Sequence, residues 1–151
     1  MKPVLQALLV ADHVYTDKVT GKKIVAGIFH EIQFRKVNAA DASEGDKRVL
    51  INIAEGGHLS GSPFCYISLT EVNGNFPFTL RYVNLADYKI IFHVDFRIEN
   101  KDPIGTIEIV LPLPALPSRE AGTFALELLC NDEPMGSHRI NIREMGGTSD
   151  E

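Results

Sequence analysis

The alternation of hydrophobic and polar residues predicts strands along most of the chain. It is most regular from Tyr88 to Glu99, where apolar side chains at every second position are separated mostly by charged ones. Such period-2 placement is typical of a half-buried strand. We therefore predict that the apolar face of this strand packs in the core and that Phe92→Ala or Phe96→Ala costs about 3–5 kcal/mol. The residues predicted to point inward are Ile90, Phe92, Val94, Phe96 and Ile98.

The first part of the chain, Val4 to Phe34, predicts two long strands joined by a polar turn. The turn spans Asp17 to Lys22, and Gly21 supplies the positive φ that a tight reversal often needs. Asp17 and Thr20 carry side chains that bond to nearby backbone in turns of this kind. An antiparallel pair is therefore expected at this end of the chain.

Further strands follow the same alternation. Phe64 to Val72 and Phe76 to Asn84 are separated by Asn73–Gly74, which is the strongest short hairpin motif in the chain. Pro77 has no backbone N–H to donate, so we expect the second of these strands to begin at an edge or irregularly. Residues expected to face the core are Cys65, Ile67, Leu69, Phe78, Leu80 and Tyr82.

The remaining segments complete an all-β pattern. Strands are predicted at Arg48–Glu55, around Ile107–Leu111, at Gly122–Cys130 and at Gly136–Arg143. Three prolines between Leu111 and Pro117 favour a stiff crossover between two sheets. About nine short strands without helical stretches between them favour a single-domain antiparallel β-sandwich, immunoglobulin-like, with a barrel as the alternative. We place this domain at residues 1–144 and a disordered tail at 145–151.

Composition narrows the classes of function. The chain has 151 residues and a net charge of −5 without a basic run, which argues against binding nucleic acid. No apolar run approaches the ~20 residues of a membrane helix, and Met1 to Ala11 lacks the cleavage site of a signal peptide. We therefore expect a soluble, cytoplasmic protein that does not bind membranes. Cys65 and Cys130 are interpreted as buried free thiols.

No motif specifies a reaction. Gly56 to Gly61 has the outer spacing of a phosphate-binding loop, but Ser62 stands where a lysine is required. The five histidines show no metal-ligand spacing, and no serine lies in a nucleophile elbow. We therefore assign no catalytic residue, no metal ligand and no cofactor. Asp12, His13 and Tyr15 remain candidates for ligand binding because they cluster at one strand-to-turn corner.

Several stretches together resemble a known family. They include Asp12-His13-Val14-Tyr15-Thr16-Asp17, Ala26-Gly27-Ile28-Phe29, Arg81-Tyr82-Val83-Asn84-Leu85 and Gly122-Thr123-Phe124-Ala125-Leu126. In this order they resemble the DUF6941 type of bacterial proteins, and the resemblance covers most of the chain. The family carries no assigned activity, so the resemblance implies no site residue. The chain departs from the family pattern between Lys36 and Pro63, where a shorter link rich in proline is expected.

Three hypotheses of function follow. The first is a non-enzymatic binding or assembly module, in which sheet edges or outward apolar residues such as Ile91, Val110 and Leu129 contact a protein partner or a second copy. The second is a small-molecule or carbohydrate-binding domain. The third is a metal-dependent enzyme with a site assembled from dispersed His and Asp residues.

Overall fold

Nine strands form two packed sheets in the computed structural model, which describes residues 2–34, 62–117 and 120–144. The strands are β1 (Val4–Thr16), β2 (Lys23–Ile28), β3 (Glu31–Phe34), β4 (Phe64–Thr70), β5 (Gly74–Asn84), β6 (Lys89–Asn100), β7 (Thr106–Pro112), β8 (Gly122–Cys130) and β9 (Glu133–Glu144). The first sheet has the order β2-β1-β4-β7, and the second has the order β3-β9-β8-β5-β6. We call them the four-stranded and the five-stranded sheet. The β-sandwich prediction is confirmed.

The sheets are antiparallel except at one position. β3 runs parallel to β9, with Ile32 opposite Ile142, whereas all other neighbours are antiparallel. A parallel pair requires a crossover rather than a hairpin. Here β3 and β9 lie at opposite ends of the described chain, so the purely antiparallel prediction is wrong at this edge.

The first turn forms as predicted. The backbone N–H of Gly21 donates to the carbonyl of Asp17 at 2.8 Å, and Gly21 has a φ of 77°. The carboxylate of Asp17 accepts from the N–H of Val19 at 2.9 Å, and these local bonds lower its pKa. The turn joins β1 to β2 as an antiparallel pair.

The second long strand predicted at this end is wrong, because the chain changes sheet at Phe29–His30. The N–H of Phe29 donates to Val10 on β1 at 3.3 Å, whereas the carbonyl of His30 accepts from Asn141 on β9 at 2.8 Å. The shared apolar parity therefore divides between two sheets. Ile32 and Phe34 are buried, but Ile24 and Ile28 are exposed.

The hairpin predicted at Asn73–Gly74 is also wrong. β4 and β5 lie in different sheets, because β4 pairs with β1 and β7. The segment between them instead bonds to the β6–β7 connection, where Glu71 donates its N–H to Pro103. A tight hairpin forms at Asn131–Asp132, whose φ values of 52° and 65° are those of a primed two-residue turn.

The core lies between the two sheets. The predicted inward residues of β4 and β5 are buried, as are those predicted for β8 from the same alternation, which are Phe124, Leu126, Leu128 and Cys130. Ile140 and Ile142 of β9 join them. The proline-rich connection after β7 crosses to the other sheet as predicted, and Leu113 and Leu116 close one end of the core. Pro77 lies where β5 pairs with β6 but has not yet reached β8, which confirms an edge-like start.

Predictions for Arg48–Glu55, the Gly56–Gly61 loop and the tail at 145–151 lie outside the described residues.

Candidate functional site

β6 is the longest of the strands that lie at a sheet edge. It spans 12 residues and, among the described residues, pairs only with β5. The other edge strands, β2, β3 and β7, have 6, 4 and 7 residues. An edge strand presents a row of N–H and C=O groups to whatever lies beside it. β6 is therefore the most extended candidate for contact with another chain.

The apolar face of β6 is less buried than the sequence predicts. None of the five predicted inward residues is fully buried, and Ile90 and Val94 are 48% and 39% exposed. The three others, Phe92, Phe96 and Ile98, are half-buried against the core. Inward burial is thus wrong for Ile90 and Val94 and only partly right for the rest.

A β-bulge explains the position of Ile90. Tyr82 lies opposite Phe92, but its neighbour Val83 lies opposite Ile90, so Ile91 has no partner in the ladder. Because adjacent residues of a strand point to opposite faces, Ile90 shares the outer face with Val83. Ile91, predicted to point outward, instead packs against the core. The extra residue in β6 thus reverses the faces that the alternation predicts for Ile90 and Ile91.

The exposure of Val94 follows from the unequal sheets. Val94 pairs with the buried Leu80, so it does lie on the core side of the sheet. Across the sandwich β1 contacts β9, and both are second from the same end of their sheets. Aligned packing from that contact sets β4 over β8 and β7 over β5, and it leaves no described strand over β6. We call this partly exposed apolar surface, formed by Phe92, Val94 and Phe96, the β6 overhang.

The outer face of β6 is charged. The Nδ1 atom of His93 lies 3.6 Å from the carboxylate of Asp95. Asp95 also accepts a hydrogen bond from the hydroxyl of Thr79 at 2.8 Å, and Arg97 donates to the side chain of Asn75 at 3.0 Å. The bonds to Thr79 and Asn75 of β5 position Asp95 and Arg97 on one face, with the overhang on the other.

The predicted ligand residues Asp12, His13 and Tyr15 do not converge. The rings of His13 and Tyr15 stack on the exposed face of β1 with centroids 5.6 Å apart. Asp12 points to the opposite face of the strand, where its carboxylate lies over Gly27. Gly27 has a φ of 78° and no side chain, which permits this approach. Two of the three residues thus form an exposed aromatic pair, and the third has a local contact.

A histidine pair joins the two sheets where the chain crosses between them. His30 and His138 stack with ring centroids 4.6 Å apart, and Nε2–H of His138 donates to the carbonyl of Phe29 at 2.9 Å. Burial lowers the pKa of His138, while its bonds to the backbones of Phe29 and Leu8 act in the opposite direction. The two residues are 108 positions apart, so no sequence pattern could have paired them.

A surface cavity of ≈ 330 Å³ lies where β1 begins beside the β8–β9 turn. Lys2 and Glu133 close it with an ion pair of 2.6 Å, and Cys130 forms part of its wall. Burial is the main cause that raises the pKa of Cys130, and it raises the pKa of Cys65 to about 12. Both thiols are free and buried, as predicted, and neither has the lowered pKa of a nucleophile.

The outward apolar residues named from the sequence are mostly covered. Leu129 is buried and Ile91 packs against the core, so these two predictions are wrong, while Val110 is half-buried on β7. The bulge beside Ile91 breaks the alternation from which the outward position of that residue was inferred. Leu129 does lie opposite Thr79 on the outer face, but it is only 5% exposed. The exposed apolar residues of the two edge strands β2 and β6 are instead Ile24 and Ile28 on β2 and Ile90 and Val94 on β6.

Comparisons with known proteins do not assign a family. No family model matches the sequence, and no curated protein is similar to it. Within the described ranges, no three His, Cys, Asp or Glu residues are grouped so that they could hold a metal ion. The same ranges contain no helix with the length and apolar character needed to span a membrane.

Proposed function

We propose that this protein is a non-enzymatic β-sandwich module that assembles with a protein partner through the edge of β6. The observation that carries the proposal is the β6 overhang, where the exposed Val94 and the half-buried Phe92 and Phe96 lie beside an extended strand edge. Strand addition to such an edge supplies main-chain hydrogen bonds, and the flanking apolar side chains supply buried area. Both contributions are available at the same strand.

The rest of β6 supports a specific rather than an indiscriminate contact. On the polar face of β6, the side chains of Asp95 and Arg97 are held by bonds to β5, so an added strand meets two positioned charges of opposite sign. Like charges placed opposite each other in a ladder are destabilising. A partner must therefore match the charges of β6 as well as its apolar face.

Photocrosslinking tests this proposal directly. A photoreactive phenylalanine analogue replaces Val94 in the full chain, and the matched control carries it at Ile24, an exposed apolar residue of the β2 edge. We expect a defined protein adduct at position 94, identified by mass spectrometry, that is absent at position 24. Irradiation in the native source that gives no adduct at position 94, or the same adducts at both positions, refutes the proposal.

A second candidate is a small-molecule or carbohydrate-binding domain. It is favoured by the stacked, exposed rings of His13 and Tyr15, because apolar ring faces are common contacts for sugars and other small molecules. We expect a bound sugar to shift the NMR resonances of both residues, and Tyr15→Ala to abolish the shift. A carbohydrate panel that leaves these resonances unchanged removes this candidate.

An immunoglobulin-like topology, membership of the DUF6941 type and a cytoplasmic location remain part of the proposal. Photocrosslinking within the native cells also tests the cytoplasmic location, because a crosslinked partner whose cellular location is known shows where the protein resides.

A further inference from the structure

We propose that His30 and His138 form a pH-sensitive clasp, which holds the crossing between the two sheets at neutral pH and releases it in acid. The clasp consists of the stacked pair of imidazole rings and the bond from His138 to the carbonyl of Phe29. It lies beside β3, at the opposite edge of the five-stranded sheet from β6. The inference is therefore independent of the proposed partner contact and goes beyond it.

His138 connects three segments of the chain through one side chain. It belongs to β9 and is only 4% exposed. Its Nε2–H donates to the carbonyl of Phe29 at 2.9 Å, its ring stacks on that of His30 at 4.6 Å, and it bonds to the backbone of Leu8 on β1. Because β1 and β9 belong to different sheets, this side chain ties the sheets together where the chain crosses between them.

Two backbone bonds accompany the clasp at the crossing. The N–H of Phe29 donates to Val10 on β1 at 3.3 Å, and the carbonyl of His30 accepts from Asn141 on β9 at 2.8 Å. The side chain of Phe29 packs partly against the core, whereas that of His30 is exposed. Release of the clasp therefore frees His30 and weakens these two bonds.

Among the described residues, His30 is the titratable group that faces His138. The neighbours of His138 on the core side of β9 and β8 carry no charge and are Gly136, Ile140 and Leu126. On β1, the carboxylate of Asp12 lies over the chain of β2, about 13 Å along the strand from the contact with His138. On β3, Glu31 points to the outer face and pairs with Arg143 at 3.1 Å. The charge of His138 is therefore coupled mainly to that of His30.

The stack accepts one proton more easily than two. Like charges at this separation repel, and solvent screens them poorly where one ring is buried. Burial, and to a smaller extent His30, lowers the pKa of His138, which keeps that ring neutral near pH 7 while the stack is closed. When the stack opens, water reaches His138, and its pKa returns toward the ordinary value of about 6.5. Acid therefore favours the open form.

The size of the effect follows from this linkage. As pH falls below about 6.5, each pH unit raises the equilibrium constant for opening up to about tenfold, until the lowered pKa of the closed form is reached. The change stays local, because Ile32 and Phe34 of β3 are 1% and 0% exposed and remain in the core. The exposed ring of His30 is the part that moves.

Hydrogen exchange followed by NMR tests the clasp. The amides of Phe29 and Asn141 report opening of the crossing, because they form its two backbone bonds. Amides of β8, which lies between β5 and β9, report global unfolding, and the N–H of Tyr88 reports an unrelated turn in which it donates to Asn84 at 2.7 Å.

Two properties of these amides are diagnostic. We expect the protection factors of Phe29 and Asn141, corrected for intrinsic exchange, to lie below those of β8 throughout. Between about pH 6.5 and pH 5 they should fall about tenfold, while that of Tyr88 stays constant. Protection equal to that of β8, or no fall with acid, overturns the inference.

Variants identify the proton and the stack. His138→Gln keeps a donor beside the carbonyl of Phe29 but cannot titrate, so we expect it to remove the acid-dependent fall in protection. His30→Ala uncovers the ring of His138, and we expect the pKa of that ring, followed by its NMR titration, to rise toward its ordinary value. The matched control is His13→Ala, which removes another exposed, stacked histidine and should change neither measurement.

Either variant can overturn the clasp. An acid-dependent fall that persists in His138→Gln shows that a different group takes up the proton. An unchanged pKa of His138 in His30→Ala shows that the two rings do not act as a pair. Circular dichroism melts at pH 7 verify folding, and if His138→Gln does not fold, the titration of His30→Ala decides, because His30 is exposed.

Discussion

The burial of Phe96 relative to Phe78 provides a quantitative test of the β6 overhang. Their rings stack with centroids 5.5 Å apart, but they lie on neighbouring strands with different surroundings. Phe78 is 2% exposed on β5, between β6 and β8, whereas Phe96 is half-buried at the sheet edge. Substituting each by alanine removes the same atoms and the same stacked pair. The difference in stability therefore reports the difference in burial.

The magnitudes follow from this geometry. Phe78→Ala loses the full transfer free energy of the ring and leaves a closed cavity, so we expect a loss of about 3–5 kcal/mol. Phe96→Ala loses roughly half of the transfer free energy and leaves a gap open to solvent, so we expect about 1.5–2.5 kcal/mol. The sequence predicted the larger value for Phe96 because the alternation of β6 does not reveal its missing cover.

Urea denaturation followed by far-UV circular dichroism measures both variants against the parent chain. We expect Phe96→Ala to cost about half as much as Phe78→Ala under the same conditions. If Phe96→Ala costs as much as Phe78→Ala, the ring of Phe96 is fully covered by the rest of the chain and the overhang is refuted.

Three further predictions concern other parts of the fold. Because burial lowers the pKa of His138, the unfolded chain binds the proton more readily as pH falls below about 6.5, so stability should decrease there. His138→Gln should flatten this decrease in urea titrations at several pH values, and an unchanged pH dependence contradicts it. Tyr82→Phe should leave stability unchanged or raise it by about 1 kcal/mol in thermal melts, since the buried hydroxyl has no hydrogen-bond partner among the described residues; a loss above about 1 kcal/mol contradicts this. Gly27→Ala should cost about 2–4 kcal/mol and more than Gly21→Ala in the same melts. Both glycines have positive φ, but only a β-carbon added at Gly27 would meet another side chain, the carboxylate of Asp12 at 2.6 Å. Equal costs refute this contact.

The sequence predicted the elements well, because each depends on local chemistry. Alternation identified the inward faces of β4, β5 and β8, and the turn at Asp17–Lys22 formed through bonds among its own residues. The proline-rich crossover after β7 was likewise predictable, since proline cannot continue a paired strand. In each case the residues that determine the structure are neighbours in the chain.

Pairing between distant segments was not predictable. Asn73–Gly74 has the sequence of a hairpin, yet β4 finds its partners in β1 and β7, so long-range packing overrides the local preference. Phe29–His30 interrupts an alternation that reads as continuous, because the crossing is fixed by bonds to β1 and β9. The β6 overhang likewise depends on segments that are distant in the chain. Alternation identifies one face of β6, but only the order of the described strands in both sheets shows that none of them packs over this face.

The edges of the sandwich differ in how they resist unwanted pairing, and this difference bears on the role of β6. β3 is short and carries the ion pair of Glu31 with Arg143, two devices that discourage strand addition. β6 is three times as long, and its devices are a bulge at one end and a row of charges on one face. A charged row discourages partners with unmatched charges but accepts a strand that complements it. The features that exclude unmatched strands from β6 are therefore the features that would make its contact with a matching partner specific.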